Sequence, residues 1–231
     1  METLRDVLDA AAAGAFPVAD GGTTVLPQPS PRDAGVMAFT GHAVVFTDED
    51  PAWVHEALRG TDCDPLAAAM NPRFLTALMD RTGRRAETVD AVLVAGPLPG
   101  EPPLALREVT DPDHPRIAYA HTRRDEVRAW TAGGGVLTLG RGVAGRLEVS
   151  VEVDGEVNAE VDEVCARGPA GRRRGLGRLL VTAARQLAGE PLWAQVAPGN
   201  ARSMRAFQAA GYRPVGAELL LQRKMPVCPS E

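Results

Sequence analysis

A basic, glycine-containing turn precedes the most regular amphipathic helix in the sequence. The turn and the start of the helix read RRRGLGRLL over residues 172–180. Apolar side chains then recur at positions i, i+3, i+4, i+7 and i+11: Leu176, Leu179, Leu180, Ala183 and Leu187. Glycine lets the backbone turn sharply or approach a ligand closely, and the first N–H groups of a helix lack partners within it. The pattern therefore predicts a helix whose N-terminus can bind an anion.

The residues around this turn restrict the kind of anion. Five arginines and no acidic residue lie between positions 167 and 178, and guanidinium groups add charged hydrogen bonds to a phosphate. The turn contains neither the GxxxxGK[ST] phosphate loop nor the three-glycine dinucleotide fingerprint. A pyrophosphate suits this turn, whereas the alternative is an ordinary strand-to-helix turn with solvated arginines.

The charge of the rest of the chain limits the partners of such a site. The sequence has 25 basic and 30 acidic residues, a net charge of −5. Residues 1–100 contain seven arginines and fourteen acidic residues, a net charge of −7, which leaves 18 basic and 16 acidic residues in 101–231, a net charge of +2. An acidic chain with one local basic segment favours a small phosphate-bearing ligand and disfavours nucleic acids and anionic membranes.

The length of 231 residues allows one large domain or two small ones, with a core that needs no cross-links. No apolar run reaches eighteen residues, and the N-terminus lacks a basic segment before an apolar stretch, so we expect neither a membrane span nor a secretory signal. Three cysteines without short spacing favour neither a disulfide framework nor a metal site. We therefore expect a cytoplasmic protein with no bound metal.

A proline-rich segment at 95–104 reads as a linker or a long surface loop. It predicts a boundary between an N-terminal α/β region over 1–104 and a second domain over 105–231. The predicted elements of the first region are a helix at 2–13, a strand at 35–47, a helix at 51–59, a helix at 72–82 and a strand at 91–95. Asp50 is the expected N-cap of the third element, and His42, inside the first strand, is expected to be structural.

The second region alternates strands and helices in the order β-α-β-β-β-α-β-α-β. Its predicted elements are a strand at 106–110, a helix at 113–130, three strands ending with 158–166, a helix at 174–188, a strand at 192–197, a helix at 201–210 and a strand near 215–223. Short turns between the three consecutive strands predict an antiparallel meander. The fold class is therefore α/β (α+β), with a mixed, mostly antiparallel central sheet flanked by helices.

Two segments of this region resemble motifs of the GNAT superfamily, the acetyl-CoA-dependent N-acetyltransferases. Arg172, Gly175 and Gly177 reproduce its RxxGxG pattern between a strand and an amphipathic helix. About twenty residues later, VAPGNARSMRAFQAAGY at 196–212 is similar to its second motif, with Asn200 before a short helix and a glycine–aromatic pair after it. The resemblance covers about residues 105–226 and implies a GNAT-like fold with an N-terminal α/β extension.

The resemblance implies acetyl-CoA as the co-substrate and assigns residues to it. The pyrophosphate would lie on the backbone N–H groups of the basic turn, the pantetheine arm along the end of the preceding strand, and Asn200 would either cap its helix or contact that arm. The residues so implied are Cys165, Ala166, Arg167, Arg172, Arg173, Arg174, Gly175, Leu176, Gly177, Arg178, Asn200 and Phe207. Phe207 occupies the position where the family often has a tyrosine general acid, and it has no proton to give.

The resemblance also points to a carboxylate on the strand 158–166 as the general base. Strand alternation places Glu160 and Asp162 on one face and Glu163 on the other with Cys165. Glu163 is the expected base because it lies two residues before the pantetheine contact that the resemblance implies. The alternative is that all three are solvent-facing or paired with nearby arginines. With Phe207 in place of the tyrosine, either the coenzyme A thiolate leaves without assistance or another group protonates it.

The function that the resemblance implies is transfer of an acetyl group to a primary amine, by direct attack of the amine in a ternary complex. The expected acceptor is a small amine or an amino-acid-like molecule, and a protein N-terminus or lysine is a further possibility that fold resemblance does not decide. The alternative is a non-catalytic acyl-CoA-binding or scaffold protein of the same fold. Residues 1–104 would be either a degenerate acetyltransferase-like half or a lid on the acceptor side.

Overall fold

The computed structural model of the protein describes residues 2–110, 114–153 and 175–223. The chain forms two compact units, and the first is assembled from two separate stretches of sequence. It contains Met1–Val92 together with Val215–Glu231, whereas the second contains Leu93–Pro214. Compactness does not test which parts fold or act independently, so the predicted domains 1–104 and 105–231 stay a prediction.

The first unit combines a small sheet with four helices. Its elements are α1 (Leu4–Ala12), β1 (Thr23–Leu26), β2 (Ala34–Phe39), β3 (His42–Phe46), α2 (Pro51–Arg59), α3 (Pro65–Ala68), α4 (Pro72–Thr82), β4 (Arg84–Arg85), most of β5 (Val89–Ala95) and most of β11 (Arg213–Arg223). Strand β1 is parallel to β3, and the pairs β3–β2, β2–β11 and β11–β4 are antiparallel. Buried side chains of β2, β3, α2, α4 and β11 form one core.

Three helices of this unit begin with the same capping arrangement. Asp50, Asp64 and Asn71 each accept a hydrogen bond from a backbone N–H two residues ahead, at 2.9 Å, and each is followed by a proline at the first helical position. The capping side chain accepts a hydrogen bond from a backbone N–H that has no partner within the helix, and the proline fixes the φ angle that the helix needs. The predicted N-cap at Asp50 and the predicted helices 51–59 and 72–82 are confirmed.

The predicted continuous strand 35–47 is wrong, because the chain turns back on itself within it. Strands β2 and β3 form an antiparallel hairpin in which Phe39 lies opposite His42. Gly41 supports the turn with a φ of +74°, a value that L side chains rarely adopt. His42 is therefore the first residue of β3 rather than a residue in the middle of a longer strand.

The second unit is built on a row of five hydrogen-bonded strands. Its elements are the end of β5, then β6 (Arg107–Val109), α5 (Pro115–Arg123), β7 (Asp125–Ala132), β8 (Gly135–Arg141), a short 3₁₀ turn (Val143–Gly145), β9 (Leu147–Val153), α6 (Leu176–Leu187), β10 (Leu192–Val196), α7 (Ala201–Ala209) and the start of β11. The strand order is β10-β9-β8-β7-β6, in which only β10 and β9 are parallel.

Helices cover both faces of these five strands. Ile117 of α5 packs with Ala129 of β7 and Val136 of β8 on one face. On β8 the residue before Val136 is Gly135, which faces the other side of the sheet. A Cβ on Gly135 would meet the side chains of Leu180 and Leu176 of α6. The second unit is therefore a helix–sheet–helix sandwich, and the predicted class of a mixed, mostly antiparallel sheet flanked by helices is confirmed.

The predicted helix 113–130 is wrong in its second half. Helix α5 ends at Arg123, and Asp125–Ala132 form strand β7, which pairs with both β6 and β8. Charged residues at 123–126 are compatible with a helix, but Ala129 and Trp130 become buried in the sheet. Of the predicted meander, β8 and β9 are present, and the third strand, 158–166, lies outside the described residues.

Candidate functional site

The N-terminus of α6 is open in the way that the sequence predicts. Gly175 precedes the helix with a φ of +100°, and a Cβ on it would meet nothing within 4 Å. No side chain of the described residues caps this end of the helix, so its first N–H groups have no side-chain partner among them. The helix has twelve residues, enough for the partial positive charge at its N-terminus to attract an anion.

The two residues that follow Leu176 define the surroundings of this opening. A Cβ on Gly177 would lie 3.9 Å from Val153 of β9 and 4.0 Å from Ala206 of α7, so α6, α7 and the end of β9 converge here. Arg178 is exposed in the first turn and makes no ion pair within the described part of the chain. The first turn of α6 thus carries an exposed guanidinium group beside N–H groups that have no partner within the helix.

The apolar stripe of α6 anchors this terminus in the second unit. Leu176, Leu180 and Ala183 are buried, as predicted, whereas Leu187 at the far end is 37% exposed. Residues that the sequence pattern did not single out, Val181 and Ala184, are also buried. Leu176 is only 3% exposed, so packing against the core holds the first residue of the helix.

Several predicted site residues cannot be compared with the structure. The predicted general base Glu163 and its neighbours Glu160 and Asp162 lie outside the described residues. The same holds for Cys165, Ala166, Arg167, Arg172, Arg173 and Arg174. Their assigned roles stay predictions, and only Gly175, Leu176, Gly177, Arg178, Asn200 and Phe207 can be described.

Asn200 caps α7, which was one of its two predicted roles. Its Oδ1 accepts a hydrogen bond from the backbone N–H of Ser203 at 3.0 Å. The side chain is exposed, and the cap uses only its oxygen. A contact between Asn200 and the pantetheine arm remains a prediction.

Phe207 and Tyr212 form a buried aromatic pair rather than a proton donor. Their ring centroids lie 4.9 Å apart in an edge-to-face arrangement. The Tyr212 hydroxyl donates to the carbonyl oxygen of Val181 at 3.2 Å, and burial raises the pKa of this hydroxyl well above its ordinary value. Tyr212 is thus a core residue.

A buried ionic cluster, which the sequence analysis did not identify, lies on β9. The carboxylate of Glu148 accepts from Arg124 Nε at 2.9 Å and from Arg146 Nε at 2.8 Å. Burial alone would raise the pKa of Glu148, but the two guanidinium groups lower it to about 2. The Arg146 guanidinium also lies 5.3 Å from the ring centroid of Trp193 on β10. This cluster stabilises the pairing of β9 with β10.

The parallel ladder between β9 and β10 is short. In the described residues it joins Leu147 to Leu192 and Glu148 to Trp193. The strand predicted before the basic turn, 158–166, lies outside the described residues.

Comparison with known proteins gives a match for one segment of the chain. The model of the Acetyltransferase (GNAT) family matches residues 104–212, which include α6, β10 and α7. This segment is therefore similar to the GNAT acetyltransferases, the resemblance that the two motifs indicated.

Solved structures are also similar to the chain. One, a GNAT-family protein from Novosphingobium aromaticivorans, is 18% identical with a TM-score of 0.41, and the match covers 60% of this chain and 66% of that one. Another, a GCN5-related N-acetyltransferase from Kribbella flavida, is 18% identical with a TM-score of 0.42, and the match covers 85% of this chain and 90% of that one. No curated protein matches the sequence.

The described residues contain neither a membrane-spanning helix nor a cluster of metal-ligating side chains. None of the helices there has the length and apolarity needed to cross a bilayer. No group of three or more His, Cys, Asp and Glu side chains is arranged there to hold a metal ion.

Proposed function

We propose that the protein is an acetyl-CoA-dependent N-acetyltransferase that acetylates a small primary amine in a ternary complex. The observation that supports it is the open, glycine-led N-terminus of α6 inside the segment 104–212. The same segment carries the GNAT motif residues Gly175, Gly177 and Asn200.

The residues at this terminus fit the pyrophosphate of acetyl-CoA. The N–H groups of α6 would bind its oxygens, and Arg178 would add a charged contact. The open space at Gly175 leaves room for the phosphates, and a side chain there would fill it. Acetyl-CoA supplies an activated acyl group as a thioester, and the protein's part is to bind and orient it.

The predicted chemistry requires three steps from the protein's residues. Glu163 takes a proton from the ammonium group of the acceptor, directly or through water, so that its nitrogen carries a free electron pair. The nitrogen then forms a bond to the thioester carbonyl carbon while the carbon–sulfur bond breaks, and the nitrogen loses its second proton to water as the amide forms. Backbone N–H groups beside the carbonyl oxygen stabilise the negative charge that develops on it.

The departing thiolate lacks the proton donor that the family often uses. Phe207 has no acidic proton, and the Tyr212 hydroxyl is buried with its proton donated to Val181. We therefore propose that the thiolate leaves without help from either residue and takes its proton from water.

The acceptor is proposed to be a small amine or an amino-acid-like molecule. The first 100 residues carry a net charge of −7, which favours the approach of a cationic amine. A cytoplasmic location is proposed with it.

The proposal is tested by thermal unfolding of the full chain with acetyl-CoA, followed by a thiol-release assay with a panel of primary amines. A ligand at about a hundred times its dissociation constant stabilises a protein by about 2.7 kcal/mol. We expect this stabilisation in the wild type and its loss in Gly175→Trp. The matched control is Gly83→Trp, because Gly83 also has a positive φ of +65° and open space around it. No shift in the wild type at millimolar acetyl-CoA would contradict the proposal.

A second candidate function is acyl-CoA binding without transfer. The replacement of the usual tyrosine by buried Phe207 favours it. The two functions differ in the same experiment, since a pure binding protein would be stabilised by acetyl-CoA but would release no thiol with any amine.

A further inference from the structure

Three polar side chains of the first unit form a continuous hydrogen-bonded line. His42 Nδ1 lies 2.8 Å from Asp20 Oδ1, and His42 Nε2 lies 2.9 Å from Thr24 Oγ1. The carboxylate is therefore on one side of the imidazole and the hydroxyl on the other. The side chain of His42 is 10% exposed, whereas that of Asp20 is 53% exposed.

The direction of these hydrogen bonds follows from the chemistry of Asp20. The hydrogen bond from His42 lowers the pKa of Asp20, and a second bond comes from the Gly22 N–H at 2.7 Å. An ionised carboxylate only accepts, so the proton of neutral His42 is on Nδ1. Nε2 then carries the lone pair, and the Thr24 hydroxyl donates to it. A base held in one tautomer by a carboxylate and bonded to a hydroxyl is the arrangement that activates a nucleophile.

The backbone holds this line in place through two glycine turns. The Gly21 N–H donates to the carbonyl oxygen of Gly41 at 2.8 Å, and the Ala43 N–H donates to that of Gly22 at 3.0 Å. A Cβ on Gly41 would lie 2.7 Å from the Cβ of Ala19, so glycine is required at this crossing. The segment that carries Asp20 is thus fastened to the β2–β3 hairpin that carries His42.

The face of the sheet around the line has apolar surface for a substrate. Phe39 lies opposite His42 in the hairpin and is buried on the same face. Phe16 packs on Phe39 with ring centroids 6.2 Å apart and remains 43% exposed. An exposed aromatic side chain therefore lies on Phe39, across the hairpin from His42.

Strand β1 also offers donors for a developing negative charge. It is at the end of the strand order, so one of its edges is open among the described residues. Gly22 and Leu26 direct their carbonyl oxygens to β3, which places the N–H groups of Thr23 and Val25 on the open edge. The Val25 N–H follows Thr24 directly and can donate to an oxygen bound near its hydroxyl.

We propose that Asp20, His42 and Thr24 form a second site, which hydrolyses small carboxylic esters with Thr24 as the nucleophile. His42 Nε2 takes the hydroxyl proton as Thr24 Oγ1 bonds to the ester carbonyl carbon, and the carbon–oxygen bond to the alcohol then breaks. The alcohol leaves with the proton from His42. Water next attacks the acyl-threonine, His42 takes a proton from it, and the acid is released as that proton returns to Oγ1. The net reaction consumes one ester and one water and gives one acid and one alcohol.

The experiment measures release of p-nitrophenol from p-nitrophenyl acetate by the full-length protein, in a Cys63→Ser background because Cys63 is exposed. Peptide mass mapping locates any acetyl group on the protein. We expect acetylation of the peptide that contains Thr24, and a fall in the protein-dependent rate of about 100-fold or more in Thr24→Val and Asp20→Asn. Thr24→Ser keeps the hydroxyl and should retain activity.

Thr23→Val is the matched control, because Thr23 is the adjacent threonine on the opposite face of β1. It should react at the wild-type rate. Melting temperatures measured beside the rates identify a variant that fails to fold, and the comparison of Thr24→Ser with wild type then decides. Three results would overturn the proposal: equal rates in Thr24→Val and wild type, an equal loss in Thr23→Val, or acetylation only at other residues. The three side chains would then have a structural role alone.

Discussion

Arg146 donates to the carboxylate of Glu148 at 2.8 Å with both side chains almost completely removed from solvent. The side chains of Arg146 and Glu148 are 1% and 5% exposed, and Arg124 completes the cluster from the other side. Charges so far from water are stabilised only by one another and by their hydrogen bonds. Removing one of them leaves the others without compensation.

Glu148→Gln is therefore expected to lower the free energy of unfolding by about 3–5 kcal/mol, because two buried guanidinium groups lose their counter-charge. Glu152→Gln is the matched control, since Glu152 on the same strand pairs with Arg116 at 2.8 Å but both side chains are about a third exposed or more. Its cost should stay within about 1 kcal/mol. Urea denaturation of the two variants measures both values, and equal costs would contradict the role given to the cluster.

The low pKa of Glu148 predicts that the second unit loses stability in acid. The pKa of Glu148 is about 2 in the folded protein and near 4.5 in the unfolded chain. A depressed pKa adds stability that is fully present above pH 4.5 and is lost as the pH falls from there towards 2. Unfolding followed by tryptophan fluorescence should show this loss in the wild type. The pH dependence should be weaker in Glu148→Gln.

Asp90 in the first unit predicts the opposite pH dependence. Burial, with repulsion from Glu218 and Glu87, raises its pKa to about 6. An acid with a raised pKa destabilises the fold as the pH rises from about 4 to 6, because the folded state then holds the proton more tightly. Asp90→Asn should stabilise the protein at pH 7 by about 1 kcal/mol, a value reduced for partial solvent screening, and should give no gain below pH 4. Denaturation midpoints at both pH values, beside exposed Asp80→Asn, measure the effect.

Tyr212→Phe distinguishes a structural from a catalytic hydroxyl. The change removes the bond to the carbonyl oxygen of Val181 and should cost about 1 kcal/mol of stability. Because this hydroxyl is buried, we expect the rate of thiol release in the acetyltransferase assay to stay within twofold of wild type. A tenfold or larger fall in rate with a folded protein would show that Tyr212 protonates the thiolate after all.

Gly175→Ala should cost stability through the backbone alone. Its φ of +100° lies in the region that L side chains rarely adopt, and a Cβ would touch no other atom. The expected loss is about 1–2 kcal/mol by thermal denaturation, and Gly83→Ala should lose a similar amount for the same reason. A neutral Gly175→Ala would mean that the turn relaxes and that the backbone conformation at α6 is not fixed.

Elements with local signals could be predicted from the sequence. Helices α2 and α4 begin with a capping side chain and a proline, signals that act within three residues and do not depend on distant partners. The glycine turn before α6 is similarly local, and its open N-terminus follows from Gly175.

Elements that depend on distant pairing could not be predicted in the same way. Residues 125–130 read as helix until β6 and β8 are known to lie on either side of them. The Arg124–Glu148 contact joins residues 24 positions apart, and the line through His42 depends on a hairpin register that no local pattern determines. In each case the partner, not the residue type, decides the structure.

The first unit draws strand β11 from the far end of the chain, and this has a consequence during synthesis. Strand β2 pairs with Ala217–Leu221, which the ribosome adds about 180 residues after β2 itself. Until then β2 has an open edge that another nascent chain could join. The second unit, Leu93–Pro214, is continuous in sequence and can become compact first. During synthesis on the ribosome, we therefore expect the first unit to become resistant to a protease later than the second unit.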